Sequence, residues 1–236
     1  MGPRKFLLAA AMSCVLAASA TAQALVVVND PTNDSGDPTQ LSTTEQAYLD
    51  RALPSVRKRL PEDVCGESLQ PAGAVKGSFT RAGAKQMLIF YEYCQTGNGF
   101  GWNGLVIVEG GKIVGNFVSE GGWGFVIGRV PDIDQNGIDE FTLAYSGGLH
   151  QGAGGTGVDL MQFANGVPKG IGWYKAEEFG ETEASSMWKL WAKPGKAPVF
   201  YKQKYFSGEN RPAKPVGKRA VTKLAKVFVS KFEVVK

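Results

Sequence analysis

The chain is short of the residues on which most metal and nucleophile chemistry is built. Among its 236 residues there is one histidine, His150, and there are three cysteines. A lone histidine excludes a zinc or copper site made of several imidazoles. No glycine-rich stretch sits between a strand and a helix, so a phosphate cradle of that kind is excluded. Ser146 lacks the strand–turn–helix setting of a nucleophile elbow. No aromatic-interleaved basic motif of a sequence-reading nucleic-acid module is present. Long apolar runs are missing too: the stretch 6–18 is shorter than the roughly 20 residues a spanning helix needs. Acid is scarce at one end. Residues 202–236 hold ten Lys or Arg against two acids, Glu209 and Glu233, whereas 23–201 hold 14 basic and 20 acidic residues. An acidic body with a basic tail suits weak binding to a polyanion, and equally a solvated face that keeps the protein soluble.

The N-terminus reads as an export signal. Arg4 and Lys5 precede the apolar run, and Ala20-Thr21-Ala22 supplies a small-x-small cleavage pattern, so residues 1–22 are expected to be removed. The alternative joins the run to Leu25-Val26-Val27-Val28 as an uncleaved anchor. Cleavage removes Cys14 and leaves Cys65 and Cys94, which in an oxidising compartment are expected to form one disulfide. The expected location is the periplasm or the medium.

Residues 23–41 are rich in Asn, Asp, Pro, Thr and Gly and read as a linker. Ser42-Thr43-Thr44-Glu45 is a capping box, and Tyr48, Leu49, Ala52, Leu53, Val56 and Leu60 recur at helical spacing behind it. The pattern predicts an amphipathic helix over 42–61, kinked or split at Pro54 and stopped by Pro61. Strand patterns fill the rest, 62–236. Met87 to Tyr93 is dense in β-formers. Gly110-Gly111 and Asn165-Gly166 are hairpin turns between 105–108 and 112–117 and between 160–163 and 167–173. Segments 141–145, 199–206 and 227–235 complete the expected strands, and 219–226 fits one short helix. A weak repeat emerges when Gly83, Gly137 and Gly195 are placed in register, at spacings of about 54 and 58 residues, in the range of propeller blades. The expected class is mainly β: a small or irregular propeller-like set of antiparallel sheet repeats with an N-terminal helix.

The sharpest motif is Asp132-Ile133-Asp134-Gln135-Asn136-Gly137-Ile138-Asp139-Glu140. Side-chain oxygens recur at Asp132, Asp134 and Asn136. Gly137 permits the turn that gathers them, the Ile138 carbonyl can face inward, and Glu140 closes the set. Hard oxygen donors of this kind suit Ca²⁺. Leu143 stands where an EF-hand places its closing Glu, and strands flank the loop, so an EF-hand is excluded. With Phe141-Thr142-Leu143-Ala144-Tyr145 behind it, the loop resembles an FG-GAP or VCBS-type repeat, the calcium-loop β-repeat of integrin-α-like propellers. The resemblance implies metal ligation by Asp132, Asp134, Asn136, Ile138 (carbonyl) and Glu140. It extends to a degenerate copy over 77–93, where Ser78, Thr80, Ala82 and Gln86 replace the ligands, and to a third copy with Ala192 and Pro194.

His150 lies in a glycine-rich segment, 146–157, where Ser146 and Asp159 stand as candidate triad partners for an exported hydrolase. The tryptophans, Trp123 among its glycines above all, could stack on a sugar but more often pack a core. The leading expectation is an exported, non-enzymatic β-repeat module with one structural Ca²⁺, binding an unidentified protein or polysaccharide or serving envelope integrity. The alternatives are the hydrolase and a polyanion-attachment module using the basic C-terminal segment.

Overall fold

The computed structural model describes residues 24–33, 42–60, 68–97, 100–150, 153–180, 184–208, 211–227 and 230–235; side chains at 96–97, 123–125, 147–150 and 153 are not described. The export signal, most of the linker and Cys65 lie outside these residues. Cys94 is disulfide-bonded, and its partner also lies outside them.

The one helix among the described residues, α1 (Thr43–Arg59), starts where the capping box places it. The Ser42 hydroxyl accepts from the Glu45 N–H, and the Glu45 carboxylate accepts from the Ser42 N–H, satisfying two otherwise orphaned donors. Pro54 lies inside the helix without splitting it. Leu60 turns to extended backbone, the conformation favoured before Pro61. Leu49, Ala52 and Val56 form the buried stripe.

The strands fall into three units, two of them a strand, a loop, a second strand and a hairpin, and the third a run of three strands. The first is β2 (Gln70–Gly77), β3 (Gln86–Gly97), β4 (Phe100–Glu109) and β5 (Lys112–Gly121). The second is β6 (Trp123–Val130), β7 (Glu140–His150), β8 (Ala153–Ala164) and β9 (Val167–Phe179). The third is β10 (Ser185–Lys193), β11 (Val199–Ser207) and β12 (Lys214–Thr222). Two short strands join later: β1 (Val26–Asn29) pairs with β10, and β13 (Glu233–Val234) pairs with β5. One antiparallel sheet runs β12-β11-β10-β9-β8-β7-β6, and the other runs β13-β5-β4-β3-β2. The architecture is mainly β and consistent with a small propeller-like fold. Both hairpin dipeptides behave as their chemistry requires: Gly110, Gly111, Asn165 and Gly166 all have positive φ.

Strand β3 explains the dense run near Met87. Leu88 and Phe90 face the cluster between the two sheets, with Leu105, Phe141, Leu143 and Phe163. Ile89 and Tyr91 face the helix, with Leu49, Ala52, Val56, Val106 and Val108. Both faces are buried, so the alternation of a half-exposed strand is absent.

Three sequence expectations are corrected. The stretch read as linker contains β1, whose Val28 is buried against Leu190 and Ala192. Residues 219–226 form no helix: up to Thr222 they belong to β12, where β-branched residues pair with β11 and Gly217, at φ 73°, takes up a register shift. Among the described residues of 227–235 only β13 is strand. The described residues between β12 and β13 lie as a strap across β9 and β8. It fits because Gly170 and Gly172 leave room: a Cβ there would lie 2.6 Å from Val227 and 2.4 Å from Leu224.

Candidate metal centre

The loop between β6 and β7 folds on itself through two left-handed residues, Gln135 (φ 61°) and Gly137 (φ 86°). Asp132 holds the turn. Its two carboxylate oxygens accept from the Asn136 N–H at 3.0 Å and the Gly137 N–H at 2.7 Å. Asp134 accepts from the Asn136 N–H at 3.1 Å and from its side-chain amide at 2.9 Å. Asp132, Asp134 and Glu140 each bring a carboxylate oxygen within 4.8 Å of the others, and the cluster could hold a metal ion. Asn136 is exposed, and its amide oxygen accepts from the Ile138 N–H at 2.7 Å, so the amide is used in shaping the turn. Ile138 is half-buried at the closing end of the loop.

Glu140 is the decisive residue. It is fully buried; one oxygen, Oε2, accepts from the Ile133 N–H at 2.9 Å, and Oε1 has no partner among the described residues. Burial, then the charges of Asp134 and Asp132, push its carboxyl up to about 8. Burial and the neighbouring Asp132 also raise Asp134. A buried acceptor left unmatched is costly, and three carboxylates at one point repel one another. A cation answers both.

The equivalent loop of the first unit shows the alternative solution. In the shared register Gln86 stands for Glu140, Phe79 for Ile133 and Thr80 for Asp134. Gln86 Oε1 accepts from the Phe79 and Thr80 N–H groups at 3.0 Å each, as Glu140 accepts from Ile133. Its other end is a donor: Nε2 donates to Thr80 Oγ1 at 2.6 Å and to Glu109 at 2.9 Å. The first loop is therefore closed internally by an N–H group where the second presents a bare carboxylate oxygen. The third loop, with Ala192 and Pro194, keeps only the glycine of the pattern.

The loops touch. The Asp139 N–H donates to the Ser78 carbonyl at 2.8 Å, and the Ser78 N–H returns a bond to Asp139 Oδ2 at 2.7 Å. The Gly195 N–H donates to the Ile133 carbonyl at 2.9 Å. Asp139, which the spacing argument passed over, also pairs with Arg129 at 2.9 Å. Burial opposes its charge, but Arg129 and Ser78 hold its carboxyl below the usual range. The motif alone could not reveal this, because its partners come from β6 and from the first unit.

Ser146 and Asp159 are not brought together. Asp159 lies opposite Leu143 on β8 and is fully buried, whereas Ser146, three residues further along β7, is exposed on the other face. The described residues of the glycine-rich segment continue β7 to His150 and β8 from Ala153, with Gly147 opposite Gly155. The His150 side chain lies outside the described residues. Asp159 instead accepts from Ser230 of the strap, from its N–H at 3.2 Å and its hydroxyl at 2.6 Å. Among the tryptophans, Trp102, Trp173 and Trp188 pack against core clusters. A shallow cleft of about 600 Å³ beside the helix start is lined by Tyr48, Lys76, Gln86, Arg129 and Asp139, with Arg129 and Asp139 paired to each other.

No family model matches the chain, and neither do any curated protein or solved structure. Among the described residues no helix is long and apolar enough to cross a membrane.

Proposed function

We propose that the protein is an exported, non-enzymatic β-repeat module whose second unit binds one structural Ca²⁺, in a loop of FG-GAP type, and that it serves in binding or in the integrity of the cell envelope. The observation that carries the metal reading is the buried, partnerless Glu140 Oε1 beside Asp132 and Asp134, set against the amide of Gln86 in the first loop. Calcium is the cation of choice because every available donor is a hard oxygen and the loop is irregular, which Ca²⁺ tolerates better than Mg²⁺ does. Asn136 and the Ile138 carbonyl would complete the set. Export is supported by the signal pattern of 1–22 and by the bonded state of Cys94. No observation favours the hydrolase, since Ser146 and Asp159 face apart.

Equilibrium dialysis tests the reading. One Ca²⁺ per chain is expected, with Mg²⁺ a weak competitor. The double variant Asp132→Ala, Asp134→Ala should bind none. Stoichiometric binding that survives the double substitution would place the ion elsewhere.

A further inference from the structure

The third unit carries a charge that neither the metal centre nor the core explains. Residues 185–222 contain nine Lys or Arg and a single acid, Glu209. Strands β10, β11 and β12 spread these cations over both faces of a three-stranded wing. On one face Lys202 and Lys204 alternate along β11, and their ammonium groups lie 5.8 and 5.5 Å from the ring centre of Trp188. On the other, Arg219 lies 5.2 Å from the ring of Trp191 and 5.9 Å from that of Tyr201. Among the described residues, Lys202, Lys204, Lys214, Lys218 and Arg219 form no salt bridge; the cations that do are Arg59, Arg81, Arg129, Lys175 and Lys189.

Protection of a sheet edge accounts for part of this. Strand β12 is the outer strand, and Pro215, Lys214 and Lys218 discourage another chain from pairing with it. Strand β11, by contrast, is paired on both sides and has no edge to protect. Its lysines stand on half-buried rings that fix where the charges point, a cation–π arrangement.

We propose that this wing binds an anionic polysaccharide, a polymer with carboxylate, sulfate or phosphate groups spaced along a sugar backbone. The inference deepens the binding role proposed above by naming the partner class. Charge complementarity calls for a polyanion, and the rings choose among polyanions. Single-stranded nucleic acid gains its sequence-tolerant affinity by stacking bases on open aromatic faces. Here Trp188, Trp191 and Tyr201 are half-buried and carry the protein's own cations.

The test is binding of a polyuronate and of a single-stranded oligonucleotide of matched charge to the full chain, in calcium, at low and moderate salt. The polyuronate should bind more tightly. Its affinity should fall about 10-fold or more between 50 and 200 mM salt, because binding is driven mainly by counterion release. Changing Lys204, Lys214, Lys218 and Arg219 together to Gln, all at exposed positions, should cost about 10-fold or more and flatten the salt dependence. Lys85→Gln with Lys112→Gln, away from the wing, should change neither. Absence of polyuronate binding at low salt, equal loss in the two variants, or tighter binding of the oligonucleotide would overturn the proposal. Calcium stoichiometry measured on the same preparations keeps a failure here distinct from a failure of the metal reading.

Discussion

Glu140 and Gln86 each accept from backbone N–H groups of the loop before their strand, and their single-atom difference in chemistry sets the sharpest expectations. Without a cation, Glu140 binds its proton more tightly folded than unfolded, at about 8 against roughly 4.3. Stability of the cation-free protein is therefore greatest below the unfolded value and declines as pH rises toward 8. Glu140→Gln copies the first loop, so the cation-free variant should melt above the cation-free wild type at pH 7.5 and should lose that part of the pH dependence. Melting curves in EDTA across pH 4–8 check it. Asp159 follows the same sign for a different reason. Burial raises its carboxyl, Ser230 opposes that, and no cation is near enough to pair with it among the described residues. Asp159→Asn should flatten the loss of stability that follows as pH rises above the unfolded carboxylate range, and keep the acceptor for Ser230. An unchanged slope would mean that Asp159 is ionised in the fold. The spacing of oxygens made the cluster of Asp132, Asp134 and Glu140 legible, because the order of side chains in a short loop is local. Asp139 was not legible: its bonds to Ser78 and Arg129 depend on how two units dock.

Helix α1 was readable because both signals are local, a capping box at the start and a 3.6-residue apolar stripe behind it. Ser42→Ala should cost about 1 kcal/mol by exposing an unsatisfied N-terminal donor. Leu49→Ala, at a fully buried position against β3 and β4, should cost about 2–5 kcal/mol. Chemical denaturation of the two variants separates these magnitudes. Equal and small losses would show that the helix is not held on the sheet by that stripe. The hairpins at Gly110-Gly111 and Asn165-Gly166 were legible for the same reason: positive φ is written into the residue type. Elements whose identity comes from a distant partner were not. Four residues sufficed for β1 because β10 offers an edge, with Val26 opposite Ala192. Strand β12 and the strap have mixed patterns, and what decides them is pairing with β11 and the space above Gly170 and Gly172.

At the scale of the molecule, the three units meet at their loops. The second loop lies between the others, tied to the first through Asp139 and Ser78 and to the third through Ile133 and Gly195. The glycine register hinted at three copies, but their mutual contact is a property of docking and invisible to spacing. A cation in the second loop would stabilise the joint of all three units, and its binding would add to the stability of the whole chain by mass action. The most direct test is thermal melting of wild type and Glu140→Gln in EDTA and in excess Ca²⁺. At about 100 times the dissociation constant, wild type should gain about 2.7 kcal/mol, a rise of roughly 5–10 °C for a chain of this size. Glu140→Gln should not respond. A wild-type melting temperature indifferent to Ca²⁺, or an equal rise in both proteins, would contradict the account.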